Sequence, residues 1–208
     1  MASIEPSPRR ASLRRGLWIA VALAGVGALG TFGWVSWQQS AAAERYASAF
    51  GGPFTSTDTR GKPFSSKQLN GKPYAIFFGF TRCPDVCPTT LSRMAALRQQ
   101  LGADGDRFNI VFVTVDPARD TPAEMATYLT LFGTPIIGVS GTTEQTAQAV
   151  KAWHVFYEKV PTGPGNYTID HTATVFLMDR NGGFVSSIAH DEGKASALAK
   201  LKRLIAER

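Results

Sequence analysis

The segment that most restricts the fold is an apolar run, residues 74–80, that leads almost directly into Cys83-Pro84-Asp85-Val86-Cys87. A run that is apolar on both faces predicts a buried strand in the centre of a sheet. The residues after the second cysteine carry apolar side chains at helical spacing, and Pro88 suits a first helical turn. This strand, loop and helix therefore place the only two cysteines of the chain at the end of a strand.

Further helix signals follow in the second half of the chain. Thr121-Pro122-Ala123-Glu124 combines a capping box with proline at the first helical position, so it begins a helix that runs toward Phe132. Thr142 or Thr143 caps another helix, which we expect to continue to about Phe156. An amphipathic pattern from residue 194 to the C-terminus predicts a closing helix.

The remaining pattern is one of strands and turns. The predicted elements are a small hairpin or edge strands over residues 54–64, a buried strand over 108–115, a short strand over 136–139, a loop over 161–166, and a hairpin over 172–188 with Asn181-Gly182 at its turn. Strands that alternate with helices and end in a hairpin and a helix are typical of an α/β domain. We therefore predict a three-layer domain with a central mixed sheet over residues 51–208.

The N-terminal part of the chain has a different composition. Residues 16–37 contain no charged side chain, and as a helix they would measure about 33 Å, the hydrocarbon thickness of a bilayer. Four arginines precede this stretch, whereas the next charge after it is Glu44, so the positive-inside rule places the N-terminus in the cytoplasm. We predict a basic cytoplasmic tail (1–15), a transmembrane anchor (16–37) and a linker (38–50).

The aromatic residues of this apolar stretch indicate whether it is an uncleaved anchor or a signal peptide that is removed. Trp34 and Trp37 are placed as an interfacial aromatic belt would be, which favours an uncleaved anchor over a signal peptide. Cleavage near Ala41-Ala42-Ala43 is the open alternative. Since the sequence lacks a long serine-rich presequence, we expect the inner (plasma) membrane of a bacterium, with the C-terminal domain facing the periplasm.

The basic character of the chain does not indicate a nucleic-acid partner. The net charge is +6, but four arginines and Glu5 precede residue 44, so the remainder holds 18 basic and 15 acidic side chains. These charges are interspersed, and no basic cluster interleaved with aromatic residues occurs. A mixed, solvated surface accounts for the composition, and we predict no nucleic-acid binding.

Two thiols at a strand exit point to redox chemistry or to soft-metal binding. If Cys87 lies in the first helical turn, the helix dipole and the free N–H groups stabilise its thiolate, so we expect raised reactivity there. Residues four apart on a helix are about 6 Å apart at Cα, which permits a disulfide as well as shared coordination of one metal. A static structural disulfide is the plainest alternative.

The third ligand would come from one of three histidines. His171 is the best candidate, because it stands directly before a predicted strand, at an entrance that faces the C-terminal end of the first strand. His154 and His190 lack a partner motif. Two thiolates and one imidazole suit Cu(I) better than structural zinc, and Asp85 or Asp170 would be the additional ligand if Cu(II) shared the site.

The sequence also resembles a known family. The blocks Gly79-Phe80-Thr81-Arg82-Cys83-Pro84-Asp85-Val86-Cys87-Pro88, Val115-Asp116-Pro117-Ala118-Arg119-Asp120-Thr121 and Asp170-His171-Thr172 are similar, in this order, to those of the Sco/SenC copper-binding assembly proteins of cytochrome c oxidase. The resemblance covers about residues 51–208. It implies a thioredoxin-like fold and copper held by Cys83, Cys87 and His171.

The resemblance further implies a partner and a role. The expected partner is subunit II of the oxidase, whose binuclear copper site would receive copper or reducing equivalents. Another copper chaperone or a thioredoxin-like reductant would supply the protein itself. By the same resemblance, residues 116–120 shape the neighbourhood of the site or a partner surface.

Two enzymatic readings compete with a metallochaperone. In the first, Cys83 and Cys87 form a redox-active catalytic pair of a thiol-disulfide oxidoreductase, although their spacing is one residue wider than C-x-x-C. In the second, Val86-Cys87-Pro88-Thr89 is similar to the peroxidatic segment of peroxiredoxins. That family has Thr or Ser three residues before its cysteine, where this chain has Pro84, so peroxidase activity is not expected.

Overall fold

The computed structural model describes residues 18, 21, 23–38 and 50–206. The chain divides into two compact units, Met1–Arg45 and Tyr46–Arg208. In the first unit residues 23–38 form helix α1, whose large apolar side chains are exposed. The predicted anchor, 16–37, lies partly outside the described residues. The predicted tail, 1–15, lies outside them, and so do residues 39–49 of the predicted linker. Among the described residues, no helix combines the length and the apolar character needed to cross a bilayer.

The second unit contains nine strands and four helices among its described residues, with two short 3₁₀ helices. The strands are β1 (Thr55–Asp58), β2 (Pro63–Ser65), β3 (Tyr74–Gly79), β4 (Asn109–Thr114), β5 (Ile137–Ser140), β6 (Tyr157–Gly163), β7 (Asn166–His171), β8 (Val175–Met178) and β9 (Phe184–Ile188). The helices are α2 (Val86–Gln100), α3 (Pro122–Thr130), α4 (Thr143–Ala152) and α5 (Lys194–Ala206).

Seven of these strands form one mixed sheet in the order β2-β1-β5-β4-β3-β8-β9. Strands β3, β4 and β5 are parallel, while β1, β2, β8 and β9 join antiparallel. Every residue of β3 is buried, which agrees with its apolar sequence and its central position. The central mixed sheet predicted from the sequence is therefore confirmed.

Two neighbouring phenylalanines of β3 show that helices cover both faces of this sheet. Since successive strand residues point to opposite faces, Phe77 and Phe78 belong to different layers. The Phe77 ring packs against Phe112 of β4, and that ring packs against Tyr128 of α3. The Phe78 ring packs instead against Trp153, which ends α4. The result is a three-layer α/β/α domain.

The helix starts follow the capping signals in the sequence. Thr121 and Thr142 each cap a helix with a reciprocal capping box, formed with Glu124 and Gln145 respectively. The predicted end of α4 at Phe156 is wrong, because the helix ends at Ala152. His154 then adopts a left-handed conformation, with φ of 51°, which stops a helix and turns the chain into β6.

The largest difference from the sequence prediction concerns residues 157–171. Glycine and proline predict a loop over residues 161–166, but the chain forms the antiparallel pair β6 and β7, a separate two-stranded sheet with a register shift between Pro161 and Gly163. Gly165, with φ of 72°, supplies the turn. Pro161 is tolerated because β6 pairs with β7 alone, so one of its edges is free of sheet partners. This β6–β7 hairpin ends on His171.

Candidate metal centre

The end of β3 and the start of α2 place both cysteines. Helix α2 begins at Val86, so Cys87 lies in its first turn, as predicted, and Cys83 lies in the connecting loop. The backbone N–H of Cys87 donates a hydrogen bond to the Cys83 sulfur at 3.4 Å. Cys87 is fully buried and Cys83 is partly exposed, and both are free thiols.

Strand direction brings His171 to the same place. Strand β8 runs antiparallel to β3, with Val175 opposite Phe77, so the beginning of β8 lies at the C-terminal end of β3. His171 ends β7 only four residues before β8 begins. The histidine is therefore delivered to the edge of the sheet from which the cysteine loop emerges, although 84 residues separate it from Cys87.

The three predicted ligand residues form one cluster. Their ligand atoms, two sulfurs and one ring nitrogen, all lie within 4.8 Å of one another. The Nε2 atom of His171 is 3.3 Å from the Cys87 sulfur. Cys83 and His171 line an open depression of about 310 Å³, so the cluster is reachable from solvent. This arrangement can hold a soft cation between two thiolates and an imidazole.

The orientation of the His171 ring is fixed by its surroundings. Its Nδ1 lies 3.1 Å from the carbonyl oxygen of Thr172, which accepts hydrogen bonds but cannot donate them. In the neutral ring the proton is therefore on Nδ1, and the lone pair of Nε2 points toward the sulfurs. The rings of Phe77 and Phe80 meet the imidazole edge to face, each with a centroid distance of 5.8 Å.

The pKa values of the two thiols are shifted in opposite directions. A hydrogen bond from Cys87 lowers the pKa of Cys83 far below that of an ordinary thiol, and this outweighs the opposing effect of partial burial. A hydrogen bond to Cys83 and burial both raise the pKa of Cys87. The sequence prediction that Cys87 holds the stabilised thiolate is thus wrong, because the hydrogen bond with Cys83 and the burial of the Cys87 sulfur together override the favourable helix terminus.

We expect this difference to appear in alkylation of the reduced protein. Because its pKa is lowered, Cys83 is already a thiolate at pH 6, where an ordinary thiol with a pKa of about 8.5 is almost entirely protonated. Iodoacetamide should therefore modify Cys83 first, at a rate that changes little between pH 6 and 8. Both cysteines lie in the tryptic peptide that follows Arg82, so fragment-ion mass spectrometry can locate the label. Earlier labelling of Cys87 would contradict the assignment.

Gly79 gives the buried Cys87 sulfur its space. A Cβ atom built on Gly79 would lie 2.7 Å from the Cys87 sulfur and 2.8 Å from the Phe112 ring. Side chains essentially never approach so closely, so any larger residue must displace the thiol or the ring. The last residue of β3 therefore helps to set the position of the site.

The Gly79→Ala variant should consequently lose stability. Overpacking of a well-filled core costs about 1–3 kcal/mol, which urea denaturation can measure as a lower free energy of unfolding. A Cys87→Ala background removes the closer of the two contacts and should recover part of this loss. Equal stability losses from Gly79→Ala in both backgrounds would show that the sulfur contact is not responsible.

Other residues singled out in the sequence lie elsewhere. His154 and His190 are exposed and do not join the cluster. Asp85 and Asp170 line the same depression, but their carboxylates are not among the clustered ligand atoms, and that of Asp85 accepts a hydrogen bond from Thr89. In the described part of the chain, no carboxylate therefore joins this cluster as an additional ligand for Cu(II).

The second block of the family resemblance contains residues 116–120, which lie in the loop between β4 and α3. Asp116 and Asp120 are both fully buried. Burial raises the pKa of Asp120, and hydrogen bonds from Thr114 and Thr81 oppose this. Sequence reasoning missed the partners of these acids, Thr81 and Tyr167, since no local pattern links them to the loop.

A family comparison agrees with this site. The model of the SCO1/SenC family matches residues 42–206. Protein SCO2, mitochondrial, of Saccharomyces cerevisiae is 34% identical over 161 residues, 76% of this chain and 53% of the relative, so the chain spans about half the length of that protein. An SCO2-like protein of Rickettsia felis is 35% identical over 154 residues, 73% of this chain and 75% of the relative.

A solved structure is similar over the same region. The structure of Bradyrhizobium japonicum ScoI with copper bound has a TM-score of 0.70 and 47% sequence identity. The match covers 75% of this chain and 99% of that one. The thioredoxin-like Sco fold expected from the sequence is thereby confirmed for the second unit.

Proposed function

Because this chain belongs to the SCO1/SenC family, we propose that it binds copper as its cargo through Cys83, Cys87 and His171 and supplies it during assembly of cytochrome c oxidase. The observation that carries this proposal is the convergence of two sulfurs and one imidazole nitrogen within 4.8 Å. The three groups come from two distant parts of the chain, the β3–α2 loop and the end of β7.

The donor set favours copper over zinc. Structural zinc sites use four protein ligands, whereas the cluster offers three among the described residues. Two thiolates and one imidazole suit Cu(I), which accepts low coordination numbers and prefers soft donors. The similar Bradyrhizobium japonicum protein has copper bound in its structure, which supports the same metal here.

A partly exposed site fits transfer of the metal. Cys83 and His171 are reachable from solvent, so ligands of an acceptor can approach the copper while the buried Cys87 still binds it. We propose the binuclear copper site of oxidase subunit II as the acceptor. We further propose that residues 16–37 anchor the protein in a bacterial inner membrane with the domain in the periplasm, and the similar Rickettsia felis protein supports a bacterial origin.

X-ray absorption on the full chain, purified with copper, tests this function directly. We expect two sulfur ligands and one nitrogen ligand in the copper-loaded protein. Titration of the reduced protein with Cu(I) against a competing chelator should give one equivalent bound. Binding no tighter than that of a Cys83→Ser, Cys87→Ser double variant would refute the proposal.

The acidity of Cys83 favours a second candidate function, thiol-disulfide exchange. A Cys83 thiolate can attack one sulfur of a target disulfide to form a mixed disulfide and release one target thiolate. Attack by Cys87 on the Cys83 sulfur then releases the second target thiolate and leaves Cys83–Cys87 oxidised. The target gains two electrons, and a thioredoxin-like reductant must reduce the pair again.

An exchange assay separates this role from copper transfer. The reduced protein should convert an oxidised peptide with the two cysteines of the subunit II site to its dithiol, while a Cys87→Ser variant should stop at the mixed disulfide. A His171→Ala variant should retain this activity, since the imidazole is not an electron donor. Absence of a mixed disulfide with Cys87→Ser would exclude the mechanism.

A further inference from the structure

The loop between β4 and α3, residues 115–121, contacts both halves of the site; we name it the bracket loop. Its backbone is closed on itself, because the N–H groups of Arg119 and Asp120 both donate to the carbonyl oxygen of Asp116, at 3.0 and 2.9 Å. The hydroxyl of Ser140 donates to the Asp120 carbonyl at 2.5 Å and ties the loop to β5. The bracket loop is therefore a rigid part of the domain.

One end of the bracket loop holds the cysteine segment. The Asp120 carboxylate accepts hydrogen bonds from the backbone N–H of Thr81 at 3.0 Å and from its hydroxyl at 2.5 Å. Thr114 at the end of β4 donates to the same carboxylate at 2.6 Å. Thr81 lies only two residues before Cys83, so Asp120 fixes the start of the loop that carries this thiol.

The other end holds the hairpin that carries His171. The Tyr167 hydroxyl donates to the buried Asp116 carboxylate at 2.7 Å, and Arg119 Nε donates to the other oxygen of that carboxylate. Arg119 Nη1 also donates to the backbone carbonyl of Tyr167 at 2.9 Å, while its guanidinium lies 3.7 Å from the centre of the Tyr167 ring. Tyr167 is thus held at its ring, its hydroxyl and its backbone.

The hairpin needs such support. A two-stranded sheet is marginally stable by itself, and most side chains of β6 and β7 are exposed or half-buried. Tyr167 and His171 are four residues apart on β7, so their side chains lie on the same face of the strand. Whatever fixes Tyr167 therefore limits how far the His171 imidazole can move from the sulfurs.

We propose that the bracket loop sets the position of His171 relative to the two cysteines, with Arg119, Asp116 and Tyr167 as positioning residues that control how firmly the third ligand is held. This inference rests on the proposed copper site, and it adds which contacts control the release of the copper. When an acceptor displaces Tyr167 from the bracket loop, the imidazole leaves with the hairpin. Copper then remains on the two thiolates, open to exchange.

Hydrogen exchange on the copper-free full chain in detergent tests the positioning itself. Tyr167→Phe keeps the ring on Arg119 but removes the hydroxyl, and Arg119→Lys keeps the charge but loses the two-nitrogen fork. Both variants should speed amide exchange in residues 166–171. Thr81→Val is the matched control, because it removes a hydroxyl that donates to Asp120 at the other end of the bracket loop, and it should leave the hairpin unchanged. Equal acceleration by Thr81→Val would overturn the proposal.

Copper dissociation provides the second measurement. Transfer of Cu(I) to a competing chelator should be about 10- to 100-fold faster from Tyr167→Phe and Arg119→Lys than from the wild type, as for other groups that orient metal ligands. Lys159→Ala, which removes the other cation beside the Tyr167 ring, should have a smaller effect. Wild-type rates in Tyr167→Phe and Arg119→Lys would refute the inference. A wild-type protein that binds no copper would instead refute the proposed function, and the hydrogen-exchange result would still stand.

Discussion

The Cys87→Ser variant is expected to lose high-affinity Cu(I) binding, with a dissociation constant raised by more than about 100-fold. Loss of groups that merely orient ligands costs about 10- to 100-fold, so loss of a ligand itself should cost more. Serine nearly preserves the volume of the buried Cys87 side chain, but its hydroxyl is a hard donor that stays protonated at neutral pH. Competition with a Cu(I) chelator measures the constant.

The remaining ligands give a graded series. Cys83→Ser should be as damaging as Cys87→Ser, whereas His171→Ala should weaken Cu(I) binding less, because two thiolates still provide a soft pair. The control is His190→Ala, since this histidine is exposed and outside the cluster. A His190→Ala protein that binds as weakly as Cys87→Ser would show that the copper site has been placed wrongly.

The Arg98→Ala variant should show the largest loss of stability, about 3 kcal/mol or more. Arg98 of α2 is buried, and its guanidinium donates to the carbonyl oxygens of Gly105, Phe108 and Pro135. Its removal leaves the buried carbonyl oxygens of Gly105 and Phe108 without this donor, at about 1–3 kcal/mol for each unsatisfied group. Urea denaturation should report the loss as a lower midpoint with an unchanged slope.

Arg93 on the same helix is the matched control. It also donates to three backbone carbonyls, those of Ala189, His190 and Glu192, but it is half-buried, so water can replace it. Arg93→Ala should therefore cost clearly less than Arg98→Ala. Equal losses would mean that burial of the acceptors does not determine the cost.

Local sequence signals predicted most of the domain correctly. The apolar run of β3, the capping box at Thr121, the threonine cap at Thr142 and the Asn-Gly turn each depend on residues close together in the chain, and the strand, both helix starts and the hairpin were confirmed. The methionines at apolar positions, Met94, Met125 and Met178, are buried in the core. The β6–β7 hairpin was missed because Pro161, Gly163, Pro164 and Gly165 lower the strand propensity of the middle of this segment.

The chemistry at Cys83 and Cys87 required the tertiary structure. From the sequence, a helix N-terminus predicted a stabilised Cys87 thiolate, but desolvation depends on what packs around the sulfur. The Cys87 side chain is fully buried, whereas Cys83 stays partly exposed. The hydrogen bond between the two cysteines and the burial of Cys87 together make Cys83 the thiol with the lower pKa, and no spacing of residues encodes this arrangement.

The sequence by itself determined most elements of the fold, the two thiols at a strand exit and the short choice of histidines, since all of these depend on residue type and local spacing. Only the tertiary structure decided that His171 reaches the sulfurs and that the bracket loop holds both halves of the site. The physical reason is that the antiparallel pairing of β8 with β3 and the hydrogen bonds of two buried carboxylates join segments that are distant in the sequence. Cys87 and His171 therefore meet although 84 residues separate them.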